Sequence, residues 1–187
     1  VGVAVLMVVL SVVNGFETEL RSRILSMTSQ ASITGYESGL GEWQQASIKA
    51  LQNPHVLATA PFVEGEGMLV NGDLISGVAV RGVLPDDEVE VSGIGDKMTA
   101  GQLIELRPGD FGIVLGAALA DAIDSKVGDR VILAINQGTI TPAGIMPRLR
   151  RFTVVGIFQA GMYEYDRGVA FIHMNDALRL YRLGDQV

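Results

Sequence analysis

The spacing of hydrophobic residues changes along the chain, and each change marks a distinct segment. Val1 to Val13 is apolar apart from Gly2 and Ser11 and carries no charge. From Asn14 onward, Phe16, Leu20, Ile24 and Met27 recur at helical spacing, while Glu17/Arg21 and Glu19/Arg23 are set as i,i+4 pairs that support a helix. The pattern predicts one helix that leaves an apolar environment and continues into water as a stalk. The 13 apolar residues would rise about 20 Å, short of the roughly 30 Å of a bilayer core. The run is therefore read as the outer end of a transmembrane helix, in a piece of a larger membrane protein. A buried core helix or strand is the alternative. No initiator Met, basic segment or small-residue cleavage site makes it a signal peptide.

Beyond the stalk, Ala31 to Tyr36 alternates like a strand, and Trp43 to Gln52 reads as a helix with Ile48 and Leu51 inward, stopped by Asn53-Pro54. Residues 55–63 look extended. Gly65 to Val70 and Ile75 to Leu84 flank an Asn71-Gly72 turn and predict a hairpin. Asp86 to Gly95 reads as an acidic connection, and Thr99 to Leu106 as a short helix capped by Thr99. Arg107 to Asp110 is a turn, Gly112 to Leu115 a buried strand, and Ala117 to Ile123 a helix. Val127–Ile135 is expected as a turn running into a strand, and further strands at Arg151–Phe158 and Gly168–Ile172. Asn175 or Asp176 is expected to cap a last helix. Short helices alternating with hairpin-joined strands predict an α+β class with mixed sheets.

Composition narrows the function. The 187 residues are 48% hydrophobic with 23 glycines, enough for one domain or two small ones after the stalk. A net charge of −7 argues against nucleic acid, which demands a basic surface. There is no cysteine, so no disulfide, thiolate metal site or cysteine nucleophile exists.

One segment resists a structural explanation. Asn136 to Arg150 separates two expected strands and is too long for a tight turn. It carries Pro142, Pro147 and the apolar Ile140, Ile145 and Met146, with Arg148, Arg150 and Arg151 at its base. Exposed apolar clusters mark contact sites, which makes this the candidate partner-binding loop. The other reading folds Ile145 and Met146 onto the core and leaves the arginines as solvated charge.

Catalytic signatures are missing. His55 and His173 are far apart in sequence, each without a ligand at useful spacing, and Asp86-Asp87-Glu88 reads as a solvated carboxylate run. There is no nucleophile elbow and no phosphate-binding loop. No catalytic residue, metal or cofactor is assigned.

The segment Ser11 to Leu25, the dipeptide Pro54-His55 and the stretch Thr141 to Phe158 (TPAGIMPRLRRFTVVGIF) closely resemble the permease subunits of the lipoprotein-releasing ABC transporter. The resemblance implies a periplasmic domain of the macrolide-exporter type, between two transmembrane helices and built of two α+β subdomains. Residues 1–28 would be the helix end and stalk, and 29–187 the periplasmic domain. An inserted subdomain would span about 75–150, including the loop 136–150. It implies a non-catalytic subunit in the bacterial inner membrane, with ATP hydrolysed on separate cytoplasmic subunits and a second permease subunit alongside. The implied partners are the lipoprotein substrate and a soluble periplasmic lipoprotein carrier, whose cavity receives a protruding β-hairpin.

Carried over by position, the hairpin is Thr141, Pro142, Ala143 and Gly144, continuing through Ile145, Met146 and Pro147. Arg150 falls in a basic pad at its base, with Arg148 beside it. Ala143 stands where a relative has a larger Met. The alternative within this architecture is a mechanotransmission domain acting on an exporter adaptor or a cell-wall hydrolase. A soluble periplasmic enzyme would require a pocket joining His55 or His173 to carboxylates.

Overall fold

The computed structural model describes residues 2–25, 31–35, 39–141, 144–184 and 187, and leaves out the side chains of 18–25 and 136–146. Helix α1 (Gly2–Leu25) is unbroken, so the apolar run does continue into the polar segment as one helix. Its residues 2–17 are all exposed, with Val3, Leu6 and Phe16 each more than 60% accessible. Among the described residues no helix is long and apolar enough to cross a membrane. The expected pairs Glu17/Arg21 and Glu19/Arg23 involve side chains outside the described set, as does the apolar position at Met27.

Residues 31–35 have no regular secondary structure, so the strand expected at Ala31–Tyr36 is not formed there; Tyr36 itself lies outside the described residues. Helix α2 (Trp43–Leu51) forms as expected but turns the other way. Trp43, Ala46, Ser47 and Ala50 are its half-buried residues, an i, i+3, i+4, i+7 stripe that seats Trp43 on the core. Ile48 and Leu51 fall on the opposite face and are 63% and 48% exposed. The Ser47–Thr59 hydroxyl contact at 2.6 Å ties this orientation down.

Strand β1 (Phe62–Asn71) and β2 (Leu74–Val83) form the expected hairpin, paired from Phe62↔Val83 to Asn71↔Leu74. The turn residues are Gly72 and Asp73. Gly72 takes φ +59°, which glycine adopts without Cβ strain. The acidic connection is in fact helix α3 (Pro85–Val91): proline at its start and Asp86, Asp87 and Glu88 in its first turn suit the positive helix end. The helix expected at 99–106 is instead β3 (Met98–Gly101) followed by one 3-10 turn, and Thr99 donates its hydroxyl to the Ile157 carbonyl rather than capping. There follow β4 (Gly112–Gly116), α4 (Ala117–Ala122), β5 (Arg130–Thr141), β6 (Gly144–Phe158), α5 (Tyr163–Gly168), β7 (Val169–His173) and α6 (Met174–Tyr181).

These strands make one mixed sheet among the described residues, in the order β3-β6-β4-β7-β2-β1-β5, with β5 also paired to β6. The pairing therefore closes on itself. Strand β6 makes the closure because it is 15 residues long: Arg148–Thr153 pair with β5, and Thr153–Phe158 pair with β4. Strands from inside and outside residues 75–150 share this sheet.

Alternation along the strands divides the apolar residues between two cores. Ile113, Leu115, Ile172, Leu133 and Phe152 lie in the larger one with α4 and α6, while Val114, Phe171 and Phe158 lie in the smaller. Strand β4 is buried throughout because both of its faces are covered.

A β-arm seated on the last helix

Most of the expected loop 136–150 is a pair of strands. Strands β5 and β6 continue past the sheet, with Thr139↔Met146, Ile140↔Ile145 and Thr141↔Gly144 in register after an irregularity beyond Ile135. Strand β1 pairs with β5 only as far as Ile135, so among the described residues the outer ends of β5 and β6 pair only with each other. The loop reading is corrected to a β-hairpin arm. Turn signals and prolines had outweighed the weak period-2 pattern of Thr139 to Thr141.

The candidate partner-binding residues are placed as follows. Thr141 and Gly144 face each other at the outer end of the arm, and Pro142 and Ala143 between them lie outside the described residues. Ile145 and Met146 are known by backbone register alone, so whether they contact the core lies outside the described side chains. Pro147, Leu149, Arg150 and Arg151 are exposed, and Arg148 is half-buried.

The base of the arm is fixed by arginines. Arg148 lies opposite Ile135, and Arg150 opposite Leu133. Directly opposed residues share a face, so both arginines stand on the core side, in line with the buried Phe152. Arg148 Nη1 donates to the Leu180 carbonyl at 2.8 Å, in the last turn of α6. Arg150 places its guanidinium carbon 3.6 Å from the centre of the Phe111 ring. The three arginines therefore do not form a uniform solvated collar. Arg148 is tied to its own chain, Arg150 is stacked, and Arg151 points to the other face.

Helix α6 organises this corner. Its N-cap is His173, whose Nδ1 accepts from Asn175 N at 3.1 Å, in place of the expected Asn175 or Asp176. The buried ring is held neutral: burial pushes its pKa below the usual 6.5, opposed by the Asp176 carboxylate. Asp176 itself is fully buried and accepts from Gly109 N at 2.9 Å and Phe111 N at 3.3 Å, which fixes the turn before β4. Sequence reasoning missed the roles of Phe111, Asp176 and Leu180, because no local signal announces contacts across 32 to 67 residues of chain.

Among the described residues the two histidines are not brought to a shared cavity with carboxylates. His173 and Asp176 are both engaged in backbone bonds, and His55 is exposed in the turn after α2. Among the described residues no group of three or more histidine, cysteine or carboxylate side chains could hold a metal. A cavity of about 390 Å³ is lined by Glu64, Glu66, Arg81 and Tyr165 among others, and by neither histidine. Arg81 packs over the Phe62 ring at 4.4 Å, and buried Glu88 has its pKa raised by desolvation, with Arg81 pulling the other way.

The extracellular domain of the ABC-type transporter YknZ from Gram-positive bacteria shares the fold, with a TM-score of 0.55 at 11% identity, covering 84% of this chain and 75% of that one. A family model for the MacB-like periplasmic core domain matches residues 1–187, and the chain belongs to that family. It is similar to the lipoprotein-releasing system transmembrane protein LolC of Neisseria meningitidis, 42% identical over 186 residues, which cover 100% of this chain and 45% of that protein. LolC of Xylella fastidiosa is 38% identical over 97% of this chain and 44% of its own length. LolE of Haemophilus influenzae is 37% identical over 73% of this chain and 33% of its own. The chain thus spans less than half the length of these curated relatives. The resemblance read from the residues and the α+β class are both borne out.

Proposed function

We propose that this chain is the periplasmic portion of an inner-membrane permease that releases lipoproteins and docks their soluble carrier through the β5–β6 arm. The observation that carries the reading is the arm itself: two strands that beyond Ile135, among the described residues, pair only with each other, and whose sequence from Thr141 to Pro147 is apolar and carries two prolines. A carrier cavity that accepts acyl chains accepts an apolar hairpin. A paired backbone with Pro142 and Pro147 restricting φ loses little freedom on entry. In this reading Ala143, Ile145 and Met146 supply apolar contact, Arg148 seats the arm, and Arg150 meets carboxylates on the carrier rim.

Residues 1–28 are then the end of the first transmembrane helix and its stalk, and residues 29–187 the periplasmic domain, with 75–150 as its inserted subdomain. Separate cytoplasmic subunits hydrolyse ATP, a second permease subunit completes the membrane unit, and α1 transmits the motion. The test is carrier affinity with Met146→Asp and Pro142→Ala. A charge in an acyl-type cavity lowers affinity at least about tenfold, because an unpaired charge is costly to bury. Unchanged affinity in both variants sinks the docking mechanism.

A further inference from the structure

We propose that Phe111 and Asp176 are positioning residues for Arg150, holding its guanidinium ready at the arm base for a carboxylate of the docking partner. The inference rests on the docking reading and deepens it. An exposed arginine ordinarily samples many rotamers, and ordering it on binding weakens affinity. Arg150 is exposed, yet its guanidinium carbon lies 3.6 Å from the Phe111 ring centre. With one face on the ring, the in-plane N–H donors keep the fork geometry that takes a carboxylate through two bonds.

Phe111 is held in turn. Its ring meets the buried Phe152 edge-on, with centroids 5.6 Å apart. Its backbone takes φ 52°, a region that bulky residues rarely occupy and that the surroundings must enforce. Asp176 enforces it by accepting from the N–H groups of Gly109 and Phe111 with its two carboxylate oxygens. The support thus runs from a buried carboxylate on α6, through the turn and the aromatic ring, to the guanidinium. Arg107 opens the same turn, and an Arg179 nitrogen lies 3.8 Å from where a Cβ on Gly109 would stand. Arg107 and Arg179 thus add positive charge to the corner that holds Arg150, which favours an acidic group on the partner.

The experiment is titration of the 187-residue chain with the periplasmic lipoprotein carrier, comparing the intact chain with Arg150→Ala, Arg150→Lys, Phe111→Leu, Phe111→Tyr and the double variant Phe111→Leu/Arg150→Ala. Phe111→Leu keeps the backbone demand and removes the ring face; it is expected to weaken binding about three- to tenfold, while Phe111→Tyr restores it. Arg150→Lys, which keeps the charge but not the planar fork, is expected to lose as much as Phe111→Leu. In the Arg150→Ala background, Phe111→Leu is expected to change nothing further, a readout that general destabilisation would not give. Wild-type affinity in Phe111→Leu or Arg150→Lys overturns the positioning role. So does an undiminished effect of Phe111→Leu in the double variant. Tight binding after replacement of Thr141–Pro147 by a Gly-Ser turn would instead remove the docking reading itself.

Discussion

Arg148 donates to the main-chain carbonyl of Leu180 at 2.8 Å, which joins the base of the β-arm to the C-terminal end of α6. The last carbonyls of a helix lack intrahelical donors and carry the negative end of its dipole, so a guanidinium is a well-matched partner there. Removing it in Arg148→Ala orphans that carbonyl. A loss of about 1 kcal/mol in urea unfolding is expected, with faster amide exchange at Leu133 and Ile135 opposite the arm base. Unchanged exchange at those amides would show that the arm is seated by something else.

His173 gives the fold an acid-sensitive point. The buried neutral ring caps α6, and its pKa is pushed below the usual 6.5, chiefly by burial, against the pull of Asp176. The unfolded chain therefore takes up a proton at a pH where the folded chain does not. This contribution is fully present above the unfolded value and is lost as pH falls through the lower folded one. Asparagine is a good N-cap that does not titrate, so His173→Asn is expected to flatten the stability slope as pH falls below the usual histidine value of about 6.5. An equal slope in both proteins would assign the acid sensitivity to the carboxylates.

At Gly116 the chain has no room for a side chain. A Cβ there would stand 2.1 Å from the Asp166 carbonyl oxygen, and that backbone is held because the Asp166 carboxylate accepts from Ala160 N and Gly161 N. Gly116→Ala should lower stability by about 1–3 kcal/mol, visible as a drop of several degrees in melting temperature. A melting temperature equal to that of the unaltered chain would mean that α5 shifts freely against β4.

Much of this was legible in sequence, for local reasons. Strands such as Gly112–Leu115 announce themselves by being apolar at every position, and the β1–β2 hairpin by its Asn-Gly turn. The arm was legible as a contact candidate from its misplaced Ile and Met residues, and as a hairpin only through the resemblance. The α3 start at Pro85 carried a readable signal that the run of acids obscured. What sequence could not give was the seating. The facing of α2 depends on where Trp43 docks, and the roles of Arg148 and Arg150 depend on α6 and the turn at Phe111, all placed by tertiary packing.

Docking through the arm is tested most directly by titrating the chain with the lipoprotein carrier beside a version whose Thr141–Pro147 segment is replaced by a short Gly-Ser turn. Saturable binding by the intact chain that disappears with the segment, while both proteins melt alike, is the predicted result. Equal binding by the two, or none by the folded intact chain, would contradict it.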